Sequence, residues 1–468
     1  MKINCLILKE VKSMTKKLKK VLLCLLFVLF LSIGTSCVGS TEDNYLKMPA
    51  GEKYKLSYIE KNEEGYLKFL DKLNDFSSVL SEELYLAFGR KYENICVSPI
   101  SIYMALALVT ECANQNTRME ILNALGMSYE EVKTYTKKLF ASMNNEYTSR
   151  TDSGKEQIEA LELLTNSIWF EETIKLKEVG LNNLANDYNC SSYSAPFNKN
   201  NKSANKALRN FVSENTKGLI DRDFELSVDT LIALVNTLYL KEIWNSEGDE
   251  LSFTNNKYTF INYDLSTKDV NLLRGYYYLG KVVEEEKYTH FFTKTDHGFK
   301  IKFIVPNDGY VIDDIYNKEI LTYVNSIKDY KAVDDKAKTI TSTRVLFPEY
   351  KAEFNEDIKD VIKNEFKVND LFDYKKCNFS NIIDEEEYLD KYEGIYCSKI
   401  IHQTCLEVNK KGIEGAAVTI VAMDGVESVG PNEEYVEIFL DYIVDRSFAY
   451  ILTDSNDVML FSGVVKNI

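Results

Sequence analysis

Three histidines, His290, His297 and His402, are the only imidazoles this chain offers for proton transfer or metal ligation. His290 and His297, with Asp296 between them, imitate a metal pair, but their spacing fits no HExxH-like motif. Both are expected at the surface. Cysteine offers no better. After Cys5, Cys24 and Cys37, the remaining Cys96, Cys112, Cys190, Cys377, Cys397 and Cys405 contain no CxxC pair. They read as small buried apolar side chains, and the sequence does not pair them. There is no GxSxG, no P-loop and no GxGxxG. The 72 carboxylates form no distinguishable acid–base pair. No nucleophile–base pair can be named, so the chain is expected not to be an enzyme and to use neither metal nor cofactor.

A different chemistry is suggested by residues 409–432, NKKGIEGAAVTIVAMDGVESVGPN. Small residues (Gly415, Ala416, Ala417) lead into Val418, Thr419, Ile420 and Val421, which favour extended structure. The run then breaks into Asp424, Gly425, Ser428, Gly430, Pro431 and Asn432, which are loop formers. With period-two alternation, one face carries Ile413, Gly415, Ala417, Thr419, Val421 and Met423, with no charge. The other carries Glu414, Ala416, Val418, Ile420, Ala422 and Asp424, including both acids. No proline precedes Pro431, so nothing bars the segment from a central sheet position. It is a strand-capable segment that runs into an exposed loop.

The elements that would position it are spread over a chain of 468 residues, with 45% hydrophobic and 27% charged residues and a net charge of −16. The first twenty residues hold seven Lys and one Glu, about +6, which leaves about −22 on the rest. An acidic body argues against nucleic acid as a partner. Lys16, Lys17, Lys19 and Lys20 precede the apolar run VLLCLLFVLFLSIG, too short for a membrane span and suited to a signal-peptide core. GTSC follows, similar to a lipoprotein cleavage site, with Gly34 where a Leu is usual. The expected division is a lipoprotein-type signal peptide over 1–36, lipidation at Cys37, a polar tether over 37–62, and one folded domain over 63–468. Apolar residues from Leu67 to Phe88 recur at helical spacing. NICVSPISIYMALALV (94–109) reads as a turn and then a buried helix, and NTRMEILNALG as a helix closed by Gly126. Residues 131–160 read as polar helix or loop. LLTNSIWF and DTLIALVNTLYLKEIW read as strands, with the helix SANKALRNFVSENTKGLI between them. Strands then alternate with charged turns to about Asp334. RVLFPEYKAEF reads as a strand, DIKDVIKNEF as a helix, and the C-terminus as a hairpin around DSND. Early helices, late strands and no repeat suggest one α+β domain.

Several segments in order resemble the serpin family of serine-protease inhibitors. NICVSPISIYMALAL is similar to the family's Asn-x-x-x-Ser-Pro-x-Ser helix start, through Asn94, Ser98, Pro99 and Ser101. NTRMEIL, LLTNSIWF, NFVSENTKGLI, LVNTLYLKEIW, NDLF…NFSNI, SKIIHQTCLEVNKKG and DRSFAYIL…MLFSGVVKN follow. The resemblance implies the serpin fold, a large central mixed β-sheet with helices and an exposed reactive-centre loop. It implies that Ser98, Ser101, Asn236 and His402 form a hydrogen-bonded shutter cluster beneath the sheet; the alternative is that each satisfies a local backbone group. It places Trp244, Lys410 and Glu349 at the breach where the sheet opens. Lys410 and Glu349 reverse the family's usual charges, and a swapped salt bridge between them is expected.

By the same resemblance, the hinge is Gly412, Ile413, Glu414, Gly415, Ala416, Ala417, Val418 and Thr419, with Ile413 in place of the usual Thr. The bait bond counts to Val426–Glu427, with Met423 and Val429 as alternatives because the loop is about ten residues longer than usual. The implied function is a covalent suicide trap. A target serine protease, elastase-like given Val426, attacks the bait bond, and the loop inserts before the acyl-enzyme is hydrolysed. A cysteine-protease target stays open. The alternative is a non-inhibitory binding protein on the same fold. The chain is expected to be monomeric and exported, as an envelope lipoprotein or extracellular, with only a lipid anchor touching the membrane.

Overall fold

The computed structural model describes residues 46–47, 63–150, 156–244, 250–384, 394–414 and 435–468. The leader and tether, Cys37, and the loop calls from Gly415 through Thr419 to Val426 and Glu427 lie outside the described residues.

Helix α1 (Glu64–Phe88) buries Phe69, Leu73, Phe76, Leu80 and Leu84, a stripe with steps of three and four. The chain then enters strand β1 (Asn94–Val97), not the turn expected there. Ile95, Cys96 and Val97 are buried as a ladder against the C-terminal strand, and that tertiary pairing overrides the local turn signal. Helix α2 (Pro99–Cys112) starts with proline at its first turn and is buried nearly all round, as a helix running through the core must be. Helix α3 (Gln115–Leu125) is capped by the Asn114 side chain and closed by Gly126 at φ +70°. Helix α4 (Tyr129–Ser142) opens with a Ser128–Glu131 capping box. The polar stretch after it is not loop. Asn145–Arg150 forms a hairpin with the 16-residue strand β2 (Glu156–Glu171).

Helix α5 (Glu178–Tyr188), strand β3 (Cys190–Ala195), helix α6 (Asn201–Asn215) and strand β4 (Ile232–Ile243) follow. Next come β5 (Leu273–Leu279), β6 (Tyr288–Lys294), β7 (Lys300–Pro306), helix α7 (Lys318–Ser326), β8 (Thr339–Phe347), β9 (Tyr350–Asp357) and helix α8 (Lys359–Asn364). The chain closes with β10 (Ile401–Asn409), β11 (Gly412–Ile413), β12 (Val436–Ile443), β13 (Phe448–Thr453) and β14 (Met459–Val465). The β13–β14 hairpin turns through Asp454–Val458, as the sequence suggests.

The larger sheet runs in the order β3-β2-β4-β11-β10-β9-β1-β14-β13-β7-β6, with parallel and antiparallel neighbours mixed. A smaller sheet has β8 at its centre, with parallel β12 on one edge and antiparallel β5 on the other. α2 lies against one face of β4, and α6 covers the other through Trp169, Tyr193, Phe211 and Val235.

The reading of the 245–334 region as strands and turns alone is corrected. It contains α7, whose Leu321 and Val324 pack into the core. It also buries Lys302. That ammonium is fully enclosed and donates to the carbonyls of Val324 (3.2 Å), Asn325 (2.9 Å) and Ile327 (3.0 Å) at the end of α7, of which Val324 O also accepts the Ile327 N–H. Burial pushes its pKa down to about 8.

Candidate functional site

The site lies where β11 enters the larger sheet. This two-residue strand pairs on both flanks at once, Gly412 with Ile243 and Asn409, and Ile413 with Glu242 and Val408. The ladder with β4 brings the two backbones so close that a Cβ on Gly412 would fall 2.0 Å from the Glu242 carbonyl oxygen. Glycine is therefore required here by close approach. Ile413 is fully buried. At Glu414 the chain turns to φ +55°, a left-handed conformation that ends the strand. Above the strand, Trp244 closes the sheet, its Nε1 donating to Asn409 O (2.7 Å) and its ring meeting Phe347 edge-on.

Below Ile413, β4 and β10 share no direct ladder pair among the described residues. A cavity of about 100 Å³ lies along this part, lined by Asn236 and Leu238 of β4, Ile401 and His402 of β10, Ile102 of α2 and Phe224. Ile232, Leu234, Asn236 and Leu238 are only partly buried, although their strand is central. Their inner edge faces this gap.

The four polar residues expected to cluster are divided between two sets. Ser101 Oγ donates to Asn236 Oδ1, and Asn236 Nδ2 donates to Asn166 Oδ1 (2.6 Å). Asn166 in turn donates to Tyr188 O (2.8 Å). Separately, the Ser98 backbone N–H donates to His402 Nε2 (3.1 Å), and Ser98 Oγ donates to Leu460 O (2.8 Å). No hydrogen bond links the two sets among the described residues. Burial drives the His402 pKa down to about 3, which keeps its Nε2 a neutral acceptor. Asn166 belongs to the site and was missed. A single Asn inside a strand run carries no spacing signal.

The expected Lys410–Glu349 ion pair is not formed. The Lys410 ammonium instead pairs with Glu250 at 2.5 Å, while Glu349 Oε1 accepts the Lys410 backbone N–H at 2.9 Å. Glu349 thus fixes the turn into the hinge. The histidines also depart from expectation. His290 is completely buried, its Nδ1 bonded to the Tyr330 hydroxyl (2.8 Å). His297 donates through Nδ1 to Glu242 (2.8 Å), the β4 residue beside Ile413, and lies under the Tyr147 ring. Among the described residues, no group of three or more His, Cys, Asp or Glu could hold a metal ion.

A strap follows α6. Residues 216–231 run over the gap, placing Ile220, Phe224 and Leu226 in the cavity lining. It is pinned beyond β10: Arg222 pairs with Glu353 on β9, and Lys399 Nζ donates to Glu225 O (3.2 Å).

Glu414 is the titratable group of the hinge. Its carboxyl faces Tyr239, Lys241 and Glu407, and burial raises its pKa to about 7. Its folded value lies above its unfolded one, so its contribution to docking is complete below pH 4.5 and is lost as pH rises through about 7. Amide-exchange protection at Ile413, corrected for intrinsic rates, is expected to fall between pH 5 and pH 9. Glu414→Gln should flatten that fall, and an unchanged profile in the variant would refute the assignment.

Comparison with known proteins identifies the class. Residues 71–468 match the family model described as Serpin (serine protease inhibitor), so the chain belongs to the serpin family. Human Serpin B4 is 24% identical over 388 residues, covering 78% of this chain and 93% of the relative. Antichymotrypsin-2 of Bombyx mori is 27% identical over 383 residues, covering 80% and 91%. Among solved structures, the thermophilic serpin Tengpin in its native state aligns with a TM-score of 0.64 at 18% identity, over 91% of this chain and all of that one. Thyroxine-binding globulin complexed with thyroxine aligns at 0.66 and 19%, over 86% and 99%. The α+β fold with its large mixed sheet is that of the serpins. The family's description names protease inhibition, and thyroxine-binding globulin shows the same fold in complex with thyroxine.

Proposed function

We propose that the protein inhibits a serine protease as a covalent single-use trap. The observation that carries this reading is β11, a strand of two residues held on both sides and stopped by the left-handed Glu414 above an unpaired gap. Continuing that strand would bond the edges of β4 and β10 and remove a backbone strain of about 1–3 kcal/mol. The uncharged face of the following sequence, Gly415, Ala417 and Thr419, consists of side chains small enough for a cavity of about 100 Å³. Cleavage at Val426–Glu427 frees this segment. The protease serine is then esterified to Val426, and insertion carries it away before water attacks the ester. Val426 suits an elastase-like pocket. The residues before the domain support an exported protein: a signal peptide over 1–36, a lipid on Cys37 and a tether over 37–62.

The test is to mix the full chain with pancreatic elastase and follow it by denaturing gel and intact mass. A covalent adduct of summed mass, with a released peptide beginning at Glu427, is expected. Loop cleavage without adduct, and without a gain in thermal stability, would replace this reading with a non-inserting binding protein.

A further inference from the structure

Two half-buried thiols lie where separate stretches of the chain cross. Cys377 comes just after the short turn Asp370–Phe372, and Cys397 comes twenty positions later, just before β10. The crossing is close. The Cys397 backbone N–H donates to Leu371 O (2.9 Å), and a Cβ on Gly394 would fall 1.9 Å from Tyr374 O. The Tyr374 and Tyr396 ring centroids are 6.5 Å apart. The same Cys397 N–H also points at the Cys377 sulfur, and the Cys397 Cβ is two bonds from that nitrogen. Both thiols are free, and Cys397 Sγ donates to Lys399 O (3.2 Å). The Cys377 side is anchored to α3: the Asn378 N–H donates to Thr117 Oγ1 (3.1 Å), and Asn378 O accepts the Asn114 N–H (2.9 Å).

We infer that Cys377 and Cys397 form a structural disulfide when the chain folds in an oxidising compartment. The Cys397 sulfur needs only to leave Lys399 O and turn to its neighbour. The bond closes by exchange with a disulfide oxidant, a small molecule or an enzyme. One thiolate opens the oxidant's disulfide and the second displaces it; two protein thiols become one S–S bond, and the oxidant takes up two electrons and two protons. Burial pushes the Cys397 thiol up to about 12 and raises that of Cys377 as well, so thiolate is scarce in the finished fold. The bond therefore belongs to folding and is not a reversible switch. Cys96 and Cys405 offer no such pair: they stand on β1 and β10 with β9 between them, about 10 Å apart, beyond the roughly 7 Å that a disulfide spans. The exported setting proposed above is an oxidising one. The bond ties the lead-in to β10, which carries Lys399, the anchor of the strap, to the α3 side of the body. It also closes a loop in the unfolded chain and so removes part of the entropy that folding must overcome.

The test produces the full chain in a host with an oxidising cytoplasm, so that the outcome does not depend on export. The protein is alkylated in denaturant, digested without reduction and read by mass. A cross-linked peptide pair holding Cys377 and Cys397 is expected, and reduction should release it. The unfolding midpoint should fall by about 3–4 °C on Cys377→Ser or Cys397→Ser, each single variant falling as far as the double. Full alkylation of both cysteines in the unsubstituted chain overturns the inference, and so does a cross-link from either one to another cysteine. A midpoint unchanged in both variants overturns the structural role of the bond. The export reading is judged separately, by whether residues 1–36 are removed when the chain's own leader directs it.

Discussion

Ile413→Arg is expected to turn the inhibitor into a substrate: the protease still cleaves the loop, and covalent adduct falls about 100-fold. Ile413 is fully buried between Glu242 and Val408. A guanidinium there must be desolvated, and the cross-strand Glu242 is committed through Oε1 to His297 and the Ile243 N–H, leaving Oε2 alone to meet it. An unpaired buried charge costs several kcal/mol. In the proposed trap, insertion competes with hydrolysis of the acyl-enzyme, and each 1.36 kcal/mol on its barrier is about a factor of ten. Two such factors suffice to let hydrolysis win. The partition between adduct and cleaved chain on a denaturing gel measures this directly. Ile413→Val, which keeps shape and neutrality, should preserve the adduct. An arginine variant that still traps would mean that Ile413 does not lead the insertion.

The second large effect concerns stability. Lys302→Met is expected to lower stability by about 3–5 kcal/mol, because three carbonyls at the end of α7 lose their only recorded side-chain donor inside the core. For a domain of about 400 residues that corresponds to a fall in unfolding midpoint of about 4–6 °C. Lys302→Arg is no rescue, since the larger planar group does not fit a site built around an ammonium. A melting curve of each variant decides it. A shift under about 2 °C for the methionine variant would show that α7 finds other partners for its carbonyls.

These two residues mark where sequence reading succeeds and where it stops. Ile413 was legible. It follows a glycine and opens an alternating uncharged face, and both are local signals, although the resemblance would have put a Thr there. Lys302 was not. In KIKFIV a lysine between isoleucine and phenylalanine looks like the solvent face of a strand, and only α7 packed across it makes it a buried cap. The failed Lys410–Glu349 pair has the same origin. The sequence shows two reversed charges. It does not show that Glu250, well over a hundred residues before Lys410, brings a nearer carboxylate, nor that Glu349 reaches a backbone amide. Similarly, the types of Ser98, Ser101, Asn236 and His402 signalled buried polar groups. Their division into two sets depends on Asn166, Tyr188 and Leu460, which come from three further elements. The helix in Lys318–Ser326 was lost because a run of strands on both sides made its short apolar pattern look like another.

The strap pinned by Arg222 and Glu353 gives the trap a clock. In the proposed trap a strand lengthening from β11 would run past residues 216–231, which line the same gap, so the latch across it would have to give way. Arg222 and Glu353 keep about 41% and 31% of their side chains in solvent, which leaves the latch open to screening by dissolved ions. Ionic strength thereby enters the proposed race between insertion and hydrolysis, and the same trap would keep different time in dilute buffer and in brine.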